Sequence, residues 1–281
     1  MARDWPSRLK DDLRAALTQG AVRTPERSAS GEAWLLRWAL VCALVGSTLL
    51  LFCGYHAGFA RVNGLAAQTP AWIWQWLTVL GDEQVAFALT LFFSRNCPRV
   101  FWTLVLAVLI GFAYTHSLKP LFAAPRPLGV LEPDTFHLIG PGLRAGSFPS
   151  GHSVTAAVFF GVWVYYGRSS WTRGLLILLA VAVGLSRVGV GVHWPLDVTA
   201  GLLGGALAVL PGAALARRTA WGIVSPQVHL ALLALAALVT STLFFSDSGY
   251  KAAETLQRLL AVSALGYAAW CYLIAPLTRR A

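Results

Sequence analysis

The chain has 281 residues, 57% hydrophobic and only 12% charged, with a formal net charge of +10. Soluble domains carry about twice that charged fraction, and apolar runs near the ~20 residues that cross a bilayer recur along most of this chain, so a soluble fold is excluded. The basic residues flank the apolar runs, which is the pattern of membrane orientation and not of nucleic-acid binding.

Open loops and sheet edges are not tolerated in lipid, so the apolar runs are expected to be helices, giving an all-α, polytopic transmembrane bundle. Residues 1–32 are polar and mixed in charge, with no apolar core of a signal peptide. Trp5, Leu9, Leu13 and Leu17 recur every four residues, with Pro6 suited to a first turn and Gly20 to a stop. That pattern fits either a short helix on the cytoplasmic membrane surface or a solvated tail.

The first span is expected over 33–55, followed by a polar connection over 64–70. The stretch 71–93 is interrupted by Gly81-Asp82-Glu83. Acids are costly at the bilayer centre, so the second span is placed from about 80 to 95, with Trp72, Trp74 and Trp76 in an interfacial belt. The third span covers 98–122. After a Pro- and Gly-rich loop come spans over 150–166, 172–190 and 195–216, then two more over 228–245 and 256–277. Gly201, Gly204 and Gly205 are expected to allow close helix packing. The organisation read from this is an N-terminal segment (1–32), a six-helix core (33–218) and a C-terminal helix pair (219–281).

With eight spans, the basic clusters Arg95/Arg99, Arg168/Arg173, Arg217/Arg218 and Arg279/Arg280 share one side with the N-terminal arginines. The positive-inside rule makes that side cytoplasmic. Basic residues on the opposite face need a reason, and Lys119, Arg126 and Arg187 have one. Lys119 and Arg126 lie where span three ends, Pro149-Ser150-Gly151-His152 opens span four, and Ser186-Arg187, His193 and Asp197 bridge spans five and six. All converge on the non-cytoplasmic face.

The three cations suit phosphate oxygens, Arg through paired hydrogen bonds. Ser150 and Gly151 begin a helix, whose N–H groups favour an anion, and Gly151 lets that anion approach the backbone. Asp197 in the first turn after Pro195 is placed to orient His193, leaving the other ring nitrogen to attack. His152 is placed to protonate the leaving oxygen and then to activate water, which predicts a bell-shaped pH profile. Three cations beside the His/Asp set disfavour a divalent metal, so neither a metal nor another cofactor is expected. Cys42, Cys53, Cys97 and Cys271 lack metal spacing and read as small packing residues. His116, His137 and Arg144 read as ordinary helix or loop residues, His56 and His229 as interfacial.

The three segments together resemble the type 2 phosphatidic acid phosphatase superfamily. Its signature is Lys, six residues, Arg-Pro; Pro-Ser-Gly-His; then Ser-Arg, five residues, His, three residues, Asp. Lys119, Arg126, Pro127, Pro149 to His152, Ser186, Arg187, His193 and Asp197 match it without departure. The resemblance implies His193 as nucleophile, Asp197 as its orienter and His152 as acid and base. It implies phosphate contacts from Lys119, Arg126, Ser150, Gly151 and Arg187, in a six-helix core. The expected activity is hydrolysis of a lipid phosphate or diphosphate in a bacterial cytoplasmic membrane, through a phosphohistidine. Undecaprenyl diphosphate is favoured over phosphatidylglycerol phosphate, phosphatidic acid and lipid A. The alternatives are a phosphotransferase that passes the phosphate to a lipid such as lipid A, and a non-catalytic transporter of phosphorylated lipid.

Overall fold

A computed structural model describes residues 5–278. Among these the regular structure is entirely helical. In chain order the helices are α1 (Trp5–Arg23), α2 (Ala29–Thr48), α3 (Phe59–Ala67), α4 (Ala71–Val79), α5 (Glu83–Phe93), α6 (Pro98–Phe122) and the single turn α7 (Pro127–Val130). They continue with α8 (Gly151–Tyr166), α9 (Ser170–Gly189), α10 (Pro195–Arg218), the turn α11 (Trp221–Val224), α12 (Pro226–Thr242), α13 (Lys251–Ala269) and α14 (Ala275–Thr278). A wider π-type turn extends α2 to Cys53, and another joins α13 to α14.

Among the described residues, five helical stretches are long and apolar enough to cross a membrane: 29–53, 98–130, 170–189, 195–218 and 251–278. The pair α4 and α5 makes a sixth if its 62° bend is counted as one span. The chain is therefore a multi-pass membrane protein. Helix α12, with 17 residues, and α8, with 16, are shorter. At 1.5 Å per residue α8 reaches about 24 Å. It carries no charge beyond His152, most of its side chains are buried, and it packs on α2, α6, α9 and α10. A helix apolar on every side belongs in the middle of a bundle.

The contacts of α10 with α6 and α8 depend on small residues. A Cβ at Gly204 would fall 2.2 Å from the Tyr114 ring, and one at Gly205 would fall 2.6 Å from both Ala157 Cβ and the Val154 carbonyl oxygen. Only a missing side chain lets the backbones approach this closely. Helices α12 and α13 pack on α5, and α13 also on α4.

The break expected at Gly81-Asp82-Glu83 is present: Asp82 caps α5 by accepting a hydrogen bond from the Gln84 N–H at 2.8 Å, and the chain bends there by 62°. Other expectations need correction. Helix α3 occupies a stretch read partly as connection. Gly20 does not stop α1; the helix continues to Arg23 because Gly20 marks a close approach, where a Cβ would meet Pro98 Cδ at 2.6 Å. Leu13 and Leu17 of α1 are buried in the bundle with residues of α5, α12 and α13, so this part of the stripe faces protein. His229 is buried, not interfacial, its Nε2 2.7 Å from the Tyr272 hydroxyl.

Arg95, Arg99, Arg173 and Arg217 gather at one end. Arg95 pairs with Asp12, Arg99 with Glu26, and Arg173 donates to Ser30 Oγ and to the Gly167 carbonyl. Arg217 and Glu32 share the Tyr165 hydroxyl, and Glu32 also binds Arg27. Arg3, Arg279 and Arg280 lie outside the described residues.

Candidate active site

The opposite end of the bundle holds the motif residues. The start of α8 is tied to the start of α10 through Ser150 N–H, which donates to the Asp197 carbonyl at 3.0 Å. Ser150 caps α8, its Oγ accepting from Ser153 N–H at 3.4 Å and from Ser153 Oγ at 2.9 Å. Pro195 occupies the first turn of α10, where its fixed φ suits a helix start. Asp197 then accepts from the Trp194 N–H at 2.8 Å, which closes that end of the helix. Val192 and His193 N–H groups both donate to the Arg187 carbonyl, at 3.1 and 3.2 Å, so the end of α9 sets the position of His193.

His193 is 2% exposed and Asp197 fully buried. His193 Nδ1 faces Asp197 Oδ2 at 3.4 Å and Ser147 Oγ at 3.4 Å. Its Nε2 lies 3.2 Å from Arg126 Nη1. A guanidinium only donates, so Nε2 carries the lone pair and the proton sits on Nδ1, toward Asp197. That is the tautomer a nitrogen nucleophile at Nε2 requires. Burial, reinforced by Arg126 and Arg187 and opposed by Asp197, lowers the His193 imidazole to about 3. The ring is therefore neutral at ordinary pH.

Asp197 is held on every side. Besides His193 and the Trp194 N–H, it accepts from the Ser147 hydroxyl at Oδ2 and from the Tyr55 hydroxyl at Oδ1. Burial and the neighbouring carboxylate push the Tyr55 phenol up, so it stays a donor. With its oxygens engaged by four donors, Asp197 is a poor metal ligand.

The cations ring this pair. Arg126 donates to the Ala145 carbonyl at 2.9 Å, the Val192 carbonyl at 3.1 Å and the Gly146 carbonyl at 3.3 Å. Lys119 Nζ donates to the same Gly146 carbonyl at 3.2 Å. Arg187 Nη1 donates to the Thr78 hydroxyl and to the Tyr250 hydroxyl, the latter at 2.9 Å. Arg187 Nε is buried and has no hydrogen-bond partner among the described residues. A buried donor without a partner costs about 1–3 kcal/mol, and an anion in the cluster would remove that cost. A Cβ added at Gly151 would meet nothing within 4 Å, so the helix start faces open space. His152 is within electrostatic reach of Arg187, His193, Arg126 and Lys119.

All eight expected site residues thus lie at one end of the bundle. His116 stacks on Phe112 of its own helix at 3.6 Å. His56 stacks on Trp194 at 3.9 Å, beside the site. His137 and Arg144 hold loops: Asn63 bonds both backbone groups of His137, and Arg144 donates to the Leu128 carbonyl. The residues that the sequence did not single out are Tyr55, Asn63, Thr78, Ser147 and Tyr250. Each is one polar group in an apolar or loop segment, and only Ser147, two residues before Pro149, lies near a recognisable motif.

A family model for the PAP2 superfamily matches residues 99–221. An undecaprenyl-diphosphatase of Sulfolobus acidocaldarius is 37% identical over 147 residues, 51% of this chain and 66% of that protein. A lipid A 1-phosphatase of Rhizobium johnstonii is 40% identical over 90 residues, 29% of this chain and 36% of that protein. The chain thus spans at most about two thirds of the length of these relatives. The crystal structure of Aquifex aeolicus LpxE superposes with a TM-score of 0.50 and 31% identity, covering 55% of this chain and 91% of that one. With a solved relative 31% identical and covered nearly end to end, the chain belongs to the PAP2 superfamily.

Proposed function

We propose that the protein hydrolyses the terminal phosphate of a membrane lipid phosphate or diphosphate through a phosphohistidine on His193. The observation that carries this is the His193 tautomer: Nδ1 faces Asp197, and Nε2 presents its lone pair beside Arg126. In the first step Nε2 attacks phosphorus, the bond from phosphorus to the lipid oxygen or bridging oxygen breaks, and His152 gives that oxygen its proton. In the second, His152 takes a proton from water, the hydroxide attacks phosphorus, and the P–N bond breaks to release inorganic phosphate. Lys119, Arg126, Arg187, the Ser150 hydroxyl and the Gly151 N–H at the start of α8 hold the phosphoryl oxygens in both steps. The chemistry calls for no metal.

The relatives named for undecaprenyl diphosphate and lipid A support a lipid substrate. The basic end of the bundle, opposite the site, is assigned to the cytoplasm by the positive-inside rule. The site then faces outward, with residues 33–218 as the catalytic core.

The test is phosphate release by purified protein in detergent with excess chelator. Undecaprenyl diphosphate, phosphatidylglycerol phosphate, phosphatidic acid and lipid A would each be run beside His193→Ala. Release from at least one lipid, absent in the variant, is expected. Release that needs added metal, or that survives in the variant, contradicts the reading. No release of phosphate, with the substrate's phosphate appearing on an acceptor lipid when one is added, would make the protein a transferase.

A further inference from the structure

An acid at His152 must carry a proton into the first step, among groups that oppose a further positive charge. Arg187, Arg126 and Lys119 all lie within electrostatic reach of it, together with His193. Like charges at short range disfavour one another, and a carboxylate at short range reverses that. Asp197 is not free for this: His193, the Trp194 N–H, Ser147 and Tyr55 already engage its oxygens.

His152 opens onto a groove of about 490 Å³ between α5, α6, α8 and α12. Among the described residues the acids lining it are Asp82 and Glu83, both at the break between α4 and α5. The chain at that break is pressed onto His152. A Cβ at Gly81 would fall 2.9 Å from the His152 carbonyl oxygen, 3.0 Å from His152 Cβ and 2.6 Å from Val183 Cγ1. Asp82, the next residue, is half-buried and within electrostatic reach of Arg187, whereas Glu83 is exposed. The remaining titratable group along the groove is His116 of α6, which stacks on Phe112.

Capping does not account for the charge. Asp82 Oδ1 accepts the Gln84 N–H at 2.8 Å, but asparagine and serine cap a helix as well as aspartate does. A carboxylate set into an apolar stretch of a membrane protein is costly, and such a residue marks a function.

We propose that Asp82 is the counter-charge of His152, a positioning residue that lets the imidazole hold its proton until the leaving oxygen takes it. The inference rests on the phosphatase reading and adds to it a residue outside the family match, which covers 99–221. Asp82 stays ionised throughout. In the first step the proton passes from His152 to the oxygen freed from phosphorus. In the second a proton from water returns to His152, and Asp82 again balances the imidazolium.

The test is Asp82→Asn, which keeps the cap and removes the charge, beside Glu83→Gln as control. Two substrates separate a missing acid from a damaged fold. The alkoxide of phosphatidic acid needs a proton to leave, and the phenolate of p-nitrophenyl phosphate does not. In Asp82→Asn, kcat/KM for phosphatidic acid is expected to fall at least about tenfold. For p-nitrophenyl phosphate it should stay within about twofold of the wild type, because no acid is needed there. The alkaline limb of the phosphatidic acid profile, where His152 loses its proton, should move down by about one pH unit or more. Glu83→Gln should match the wild type on both substrates. An equal fall on both substrates, an unmoved alkaline limb, or the same selective loss in Glu83→Gln overturns the proposal.

Inorganic phosphate reads His152 without turnover, through the rise it causes in the thermal midpoint. A protonated His152 adds one charge for the anion, so the rise should fade at lower pH in Asp82→Asn than in the wild type. The same profile in both proteins, or no rise in either, overturns the proposal. If the wild type hydrolyses no substrate, the phosphatase reading fails and this comparison still decides the role of Asp82.

Discussion

Tyr250 and Thr78 show how the site is built from residues outside the matched family region. Both accept a hydrogen bond from Arg187 Nη1, and Arg187 Nε has no partner among the described residues. A hydrogen bond to a charged group contributes about 1.5–3 kcal/mol. Tyr250→Phe should therefore lower kcat/KM about 10- to 100-fold and weaken inhibition by inorganic phosphate in parallel, with the fold kept. Unchanged inhibition would show that Tyr250 does not act through Arg187. His193 gives a pH prediction. The unfolded chain protonates this imidazole near ~6.5, and the folded chain only at about 3. Its contribution to stability is complete above 6.5 and is lost as pH falls toward 3. The thermal midpoint of the wild type should thus fall more steeply between pH 6.5 and 4 than that of His193→Gln; equal slopes would contradict the burial. The charged and motif-bearing residues were legible in the sequence, because a cation on the wrong side of a membrane protein demands a reason. Tyr55, Ser147, Asn63, Thr78 and Tyr250 were not. A single hydroxyl or amide announces nothing until the fold brings it to its partner.

At the scale of elements, hydropathy placed the long helices to within a few residues, α6 at its observed limits. The break at Gly81-Asp82-Glu83 was legible too, and Asp82 caps α5 there. Packing overrides pattern at α3. Helix α3 is held by Asn63, whose amide bonds the carbonyls of His137, Val188 and Gly189, contacts between segments far apart in sequence. The small-residue face of α10 was legible, and it carries a prediction. Gly205→Val would drive a side chain into Val154 and Ala157. Overpacking of this kind costs about 1–3 kcal/mol, so the thermal midpoint in detergent should drop by several degrees. Activity should fall with it, since α8 and α10 carry His152 and Asp197. A midpoint at the wild-type value would show that the helices separate without cost.

At the scale of the whole molecule, the bundle has a basic end, cross-linked by Arg95, Arg99, Arg173 and Arg217, and a catalytic end built around His193. The assigned orientation puts the catalytic end outside the cell. In a cysteine-free background, Asp134→Cys, on an exposed loop at the catalytic end, should react with a membrane-impermeant maleimide in intact cells. Arg168→Cys, on the basic end, should react only after lysis. The reverse pattern would invert the topology and move the reaction to the cytoplasm. The polarity of the bundle was readable from charge alone. The groove between α6 and α12 was not, because it exists only where two apolar helices fail to meet.

The most direct test of the account is to trap the phosphoenzyme. Protein mixed with terminally labelled substrate and quenched in alkali, where phosphohistidine survives, should carry label on the peptide containing His193. His193→Ala should carry none, and His152→Ala should form label slowly and lose it slowly. Label on another residue, or turnover in the wild type with no labelled intermediate at any quench time, would contradict His193 as the nucleophile.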